Sequence, residues 1–199
     1  ILATGVRDSF PDIPGLRERW GSSVLHCPYC HGYELNEQSV GVLASSEIAF
    51  HQAMLVPDWG PTTLFTQGTF TPRPEQEAQL VARGVTIEPT PIAELLGAGS
   101  ALEAVRLSDG RIVAISGLFI APRTELANDL AVQLGCKLET GPSGPLIDVN
   151  LRQQSSVPGV FAAGDAASPI ANATMAAAAG AMAAASAHHS LIYGLEERT

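Results

Sequence analysis

The chain has 199 residues, of which 46% are hydrophobic and 16% charged. That is enough for one large or two small domains with a buried core. A formal net charge of −9 argues against nucleic acid or an anionic membrane surface as partner. No stretch has the pattern of a signal peptide or a membrane span, and the three cysteines fit a reducing, cytoplasmic setting better than a disulfide framework.

Ile1-Leu2-Ala3 is apolar and Thr4-Gly5 ends it in a turn, as at the end of a buried strand. Pro11-Asp12-Ile13-Pro14-Gly15 has the composition of a crossing between domains. After the segment His26-Cys27-Pro28-Tyr29-Cys30-His31-Gly32, the pattern predicts a strand over 39–43, a helix over 47–56, a strand over 62–66, a helix over 75–82 and a strand over 85–87. Strand and helix alternate as in half of a nucleotide-binding fold. Residues 101–107 and 111–115 predict an antiparallel ribbon turning at Ser108-Asp109-Gly110. A buried strand is expected over 117–121, a helix over 125–134 closed by Gly135, and strands over 146–149 and 160–163. An alanine-dominated helix is expected over 171–191.

Two cysteines separated by two residues can close into a small disulfide and reopen by thiol exchange. Other chemistries share the pattern. Cys-x-x-Cys-His is also a c-type haem attachment sequence. A structural zinc needs further ligands, and the remaining cysteine, Cys136, stands alone in an apolar helical run as a core residue. Two inert buried thiols are the plain alternative. His31 follows the second cysteine and suits proton transfer near neutral pH, with a surface or capping role as its alternative. His26, His188 and His189 are taken as structural or exposed.

The motifs Ala3-Thr4-Gly5, Cys27 to Cys30, and Ser156-Val157-Pro158-Gly159-Val160-Phe161-Ala162-Ala163-Gly164-Asp165 with the helix after it occur in an order that resembles thioredoxin reductase and its relatives. The resemblance implies an α/β, two-domain flavoprotein disulfide reductase fold. Its partial FAD domain would comprise residues 1–16 and 117–199, around an inserted NAD(P)-type nucleotide-fold domain at 17–116 that carries the cysteines. It implies FAD as cofactor, with Thr4, Gly5, Gly164, Asp165 and Ala173 at its site and the amides of the last helix facing it. It implies that Cys27 exchanges with substrate, that Cys30 passes electrons to the flavin, and that His31 replaces the reductases' Asp as acid/base. Cys-Pro-Tyr-Cys-His-Gly is closer to the relatives that oxidise dithiols in small natural products, the gliotoxin and holomycin oxidase type. The family's first Gly-x-Gly-x-x-Gly unit is not found and is expected to precede Ile1. In the nucleotide turn, Ala44 and Ser46 occupy glycine slots, Glu47 adds a negative charge, and Thr66-Gln67-Gly68-Thr69 carries neither arginine nor acid. All of this argues against NADP. The expected partners are a small dithiol or a thioredoxin-like protein, and a second copy in a homodimer. The competing functions are an NADPH-dependent thioredoxin-disulfide reductase and a non-catalytic flavin-fold binding module.

Overall fold

The computed structural model describes residues 1–45 and 48–194. In chain order the strands and helices are β1 (Val6–Ser9), β2 (Val24–Leu25), α1 (Pro28–His31), β3 (Val40–Leu43), α2 (Ile48–Leu55), β4 (Thr62–Phe65), α3 (Pro74–Ala82), β5 (Thr86–Glu88), β6 (Ile92–Leu96), β7 (Ala104–Leu107), β8 (Ile112–Ala114), β9 (Gly117–Ile120), β10 (Arg123–Leu126), α4 (Leu130–Gln133), β11 (Leu138–Thr140), β12 (Pro145–Ile147) and α5 (Ala173–Tyr193). They form two compact units, Phe10–Pro122 and the pair of segments Ile1–Ser9 and Arg123–Thr199.

The middle unit is built on a five-stranded parallel sheet of order β2-β9-β3-β4-β5. Every residue of β3 and β9 is buried, as expected where both faces of a parallel sheet are covered. Alternation sorts their side chains. Val40, Val42, Leu64 and Phe119 join Ala49, Ala53 and Leu80 from the helices α2 and α3. Leu43, Phe65, Leu118 and Ile120 point the other way, into a cluster with Leu95, Val105 and Leu107 of the antiparallel sheet β6-β7-β8. The strand over 117–120 therefore belongs to the middle sheet, registered against β2 and β3, rather than opening the segment after it. β6 was not evident in the pattern; it adds a third strand to the expected ribbon.

Arg19 is a buried cation in this unit, 6% exposed. Its guanidinium donates to the carbonyls of Gly15, Gly97 and Ala101 at 2.9, 2.7 and 3.0 Å. Three backbone acceptors thus tie the entry loop to the β6–β7 turn and compensate for burial of the charge.

At the end of β5, Glu88 accepts two hydrogen bonds from Arg111, at 2.7 and 3.1 Å, and Arg111 also donates to Asp109 and Thr90. The Arg111 hydrogen bond is the main cause that lowers the Glu88 pKa from 4.5 to about 2, against the opposing effect of burial. A depressed carboxylate pKa contributes stability that is present above pH 4.5 and lost as pH falls through the folded value of about 2. Arg111→Ala is therefore expected to lower the melting temperature near pH 7, with the gap to the parent closing between pH 4.5 and about 2. A gap independent of pH in thermal melts contradicts this assignment.

In the split unit, β1 pairs antiparallel with β10, and β11 with β12. The helix expected over 125–134 is replaced by β10 and the one-turn α4. β10 alternates exposed and half-buried positions, and pairing with β1 outweighs its helical propensity. The Asn128 side chain accepts from the Leu130 amide and starts α4. Gly135, at φ +79°, closes it, donating to Val132 while Cys136 donates to Ala131. Cys136 is buried with Leu2, Ala131 and Ile147. The strand expected over 160–163 is extended chain held by single bridges, with Leu2 beside Ala162 in parallel and Phe161 opposite Gln154. α5 packs Ala179, Ala183 and Ala187 on Phe161 and Ala163. Among the described residues no helix is long and apolar enough to cross a membrane.

Candidate active site

The redox segment leaves the core at β2 and turns at once into α1. Cys27 is the N-cap residue and Pro28 follows at the first helical position, where its missing N–H costs nothing. The Cys27 carbonyl accepts from the Cys30 and His31 amides at 3.2 and 3.3 Å. This single turn brings the two cysteines to a Cα separation of 5.3 Å, and they are disulfide-bonded. Cys27 is half-buried and Cys30 exposed. Among the described residues no group of three or more His, Cys, Asp or Glu that could hold a metal is found.

Three neighbours set the surroundings of the pair. The Gln52 amide, on α2, donates to the His26 carbonyl at 2.9 Å and ties the segment to the helix layer. Trp59 stacks edge-on to Tyr29 with ring centroids 5.5 Å apart. It also lies so close to Gly32 that an added Cβ would stand 2.4 Å from its ring. Only glycine fits there. His31, half-buried, is the last residue of α1, with its Nδ1 3.0 Å from Glu34 Oε2.

The expected cofactor residues lie in the split unit. Leu2 and Ala162 form a parallel bridge, so Thr4-Gly5 and Gly164-Asp165 leave the same end of that pair. Gly164 has φ +74°, a conformation that favours glycine, and opens a helical turn over Gly164–Ala166. Together with Asp165, Gln153, Ser168, Met175 and Ala176 it lines a concavity of about 150 Å³. Ala173 is the exposed first residue of α5. The expectation that the amides of this helix face a cofactor changes in detail: Asn172 Oδ1 accepts from the Thr174 and Met175 amides at 2.9 and 3.2 Å. Asn before an alanine run is a recognisable N-cap, and the signal was in the sequence.

The nucleotide turn after β3 is described only in part, since Ser46 and Glu47 lie outside the described residues. Ala44 is buried, its amide donating to Phe65, and the Ser45 hydroxyl donates to the Ala121 carbonyl at 2.7 Å. After β4, Gln67 adopts a left-handed φ of 56° and its side-chain oxygen accepts from the Ile92 amide. Arg73, the first cation after β4 and not singled out from the pattern, is exposed at the start of α3.

A parallel nucleotide fold carrying a disulfide-bonded Cys-x-x-Cys defines a class of disulfide oxidoreductases. Residues 1–181 match the pyridine nucleotide-disulphide oxidoreductase family, and the chain belongs to it. It is 36% identical over 198 residues to thioredoxin reductase sirT of Leptosphaeria maculans, covering 92% of this chain and 60% of the relative. To thioredoxin reductase tcpT of Claviceps purpurea it is 38% identical over 173 residues, covering 83% of this chain and 53% of the relative. An oxidoreductase crystal structure from Agrobacterium tumefaciens superposes with a TM-score of 0.92 at 47% identity, over 98% of this chain and 64% of the other. The chain thus spans about 60% of the length of the relatives it matches.

Proposed function

We propose that this chain carries the redox pair and part of the flavin site of an FAD-dependent oxidoreductase acting on dithiols and disulfides. The observation that carries it is the Cys27–Cys30 disulfide on a one-turn helix with His31 on its last residue. A substrate dithiol gives up a proton to His31, and its thiolate attacks Cys27. The Cys27–Cys30 bond breaks and Cys30 leaves as a thiolate. The second substrate thiol then displaces Cys27, so the substrate becomes a disulfide and the enzyme pair a dithiol. The substrate loses two electrons and two protons, and the pair gains them.

The cleft of about 150 Å³ fits only part of FAD, since sites for drug-sized ligands are roughly 300–1,000 Å³. Its small residues and the Asp165 carboxylate suit a hydroxylated chain, which Asp165 can accept hydrogen bonds from. Gly164 leaves room, since an added Cβ meets nothing nearer than Ala176 at 3.9 Å. Thr4 and Gly5, which leave the same end of the Leu2–Ala162 bridge as Gly164-Asp165, and Ala173 at the start of α5 are assigned to the same site. When bound, FAD supplies the two-electron acceptor that returns the cysteine pair to its disulfide form.

The substrate is a small dithiol or a thioredoxin-like protein, and the enzyme works as a cytoplasmic homodimer. A second reading, an NADPH-dependent thioredoxin reductase, is favoured by the names of the relatives sirT and tcpT. Anaerobic stopped-flow of the holoenzyme separates the two. Dithiothreitol is expected to bleach the flavin absorbance quickly, and NADPH slowly or not at all, because Ala44 and Ser46 replace the glycines that let backbone approach a pyrophosphate. Fast bleaching by micromolar NADPH selects the reductase; a colourless protein removes both readings.

A further inference from the structure

The acid/base role of His31 leaves open which ring nitrogen handles the proton. An ionised carboxylate only accepts hydrogen bonds. The 3.0 Å contact between Glu34 Oε2 and His31 Nδ1 therefore requires the hydrogen on Nδ1. In the neutral ring the lone pair then belongs to Nε2. We propose that Glu34 is a positioning residue which fixes this tautomer and makes Nε2 the nitrogen that takes the substrate thiol's proton. The proposal rests on the proton-transfer role of His31.

The backbone around Glu34 is built to hold it. α1 runs directly into a 3-10 turn at Tyr33–Leu35, through hydrogen bonds from Gly32 to Pro28 at 2.7 Å and from Leu35 to Gly32 at 3.2 Å. Gly32, just before Glu34's turn, is pinned against Trp59. Leu35, the last residue of the turn, lies against β9, where a Cβ on Gly117 would stand 2.9 Å from its methyl carbons. Glu34 thus sits between two packed anchors, one turn from His31, the spacing at which side chains on a helical surface meet. As a surface contact it is worth little. The two side chains are 43% and 68% exposed, and contacts so open to solvent contribute little to stability. A ring with its hydrogen on Nε2, by contrast, presents no lone pair there to the substrate thiol, so the tautomer is the larger effect.

The test uses the flavin-loaded holoenzyme in its disulfide form, mixed anaerobically with dithiothreitol. Glu34→Ala is expected to slow the limiting rate of flavin bleaching roughly 10-fold, less than the ~10²–10⁴ of losing a general base itself. The half-saturating dithiol concentration should change by less than about twofold, because the effect lies on proton transfer rather than binding. Glu34→Gln, which keeps an acceptor oxygen, should fall between. In a His31→Ala background, Glu34→Ala should change the rate by less than about twofold, since coupled residues are not additive. Nitrogen-15 spectra of histidine-labelled holoenzyme should show His31 protonated on Nδ1, and on Nε2 in Glu34→Ala. Equal losses from Glu34→Ala with and without His31 overturn the proposal, because Glu34 then acts on its own. An unaffected Glu34→Ala beside a slow His31→Ala overturns it while leaving the role of His31 intact. An unaffected His31→Ala removes both.

Discussion

Replacing either Cys27 or Cys30 by serine should lower dithiol or disulfide turnover by several orders of magnitude, and the two variants should differ in colour. The relay has two covalent stages. In the proposed relay a substrate sulfur would bond to one cysteine, and the other would pass electrons on to bound FAD. Neither stage can be completed with one thiol. The geometry on the chain suits exchange: the pair is already disulfide-bonded across a single helical turn, and neither sulfur-bearing residue is fully buried. If Cys30 is the flavin-facing thiol, Cys27→Ser leaves it a thiolate beside an oxidised isoalloxazine, and a long-wavelength charge-transfer band should appear. Cys30→Ser should lack the band. Absorbance spectra of the two holoenzymes, taken beside steady-state turnover, check both parts. A band in Cys30→Ser alone exchanges the roles of the two sulfurs; near-normal turnover in either variant ends the relay assignment.

What was legible in the sequence was local. The runs that become β3 and β9 are continuously apolar, and burial on both faces of a parallel sheet is what such runs are for. The cysteine pair declared itself through spacing, because two thiols on one turn of chain must meet. Illegible features depended on partners distant in sequence. Arg19 looks like an ordinary surface cation until Gly97 and Ala101 bring their carbonyls to it from about eighty positions away. The close packing of Trp59 on Gly32 likewise joins residues 27 apart, so the glycine's necessity could not be inferred from the Cys-x-x-Cys neighbourhood. Residues 123–126 failed for the same reason, since the strand exists only through its register with β1. In the split unit, the Gly164-Asp165 motif is visible in the sequence, and so is the Asn172 cap that engages the first amides of α5, since both signals are local.

His31→Ala should slow the exchange step by roughly 10²- to 10⁴-fold, the range for loss of a general acid or base. The argument is chemical before it is geometric. A substrate thiol near neutral pH is mostly protonated, and the thiolate is the attacking species, so something must take its proton as the bond to Cys27 forms. When the flow is reversed, the substrate thiolate that leaves Cys27 takes that proton back. His31 is the last residue of α1, next to Cys30, and is half-buried. Its Nδ1 is engaged by Glu34, which leaves one ring nitrogen for substrate. The loss should appear in the limiting rate and shrink for a substrate whose thiol is already ionised at the working pH, because such a substrate brings its own thiolate. His31→Asp should restore part of the rate, since a carboxylate can accept the same proton. Rapid-reaction traces with two dithiols of different acidity provide the measurement. Equal slowing for both points to damage of the turn rather than lost proton transfer, and an unchanged rate with an unchanged pH profile returns His31 to an end-of-helix role.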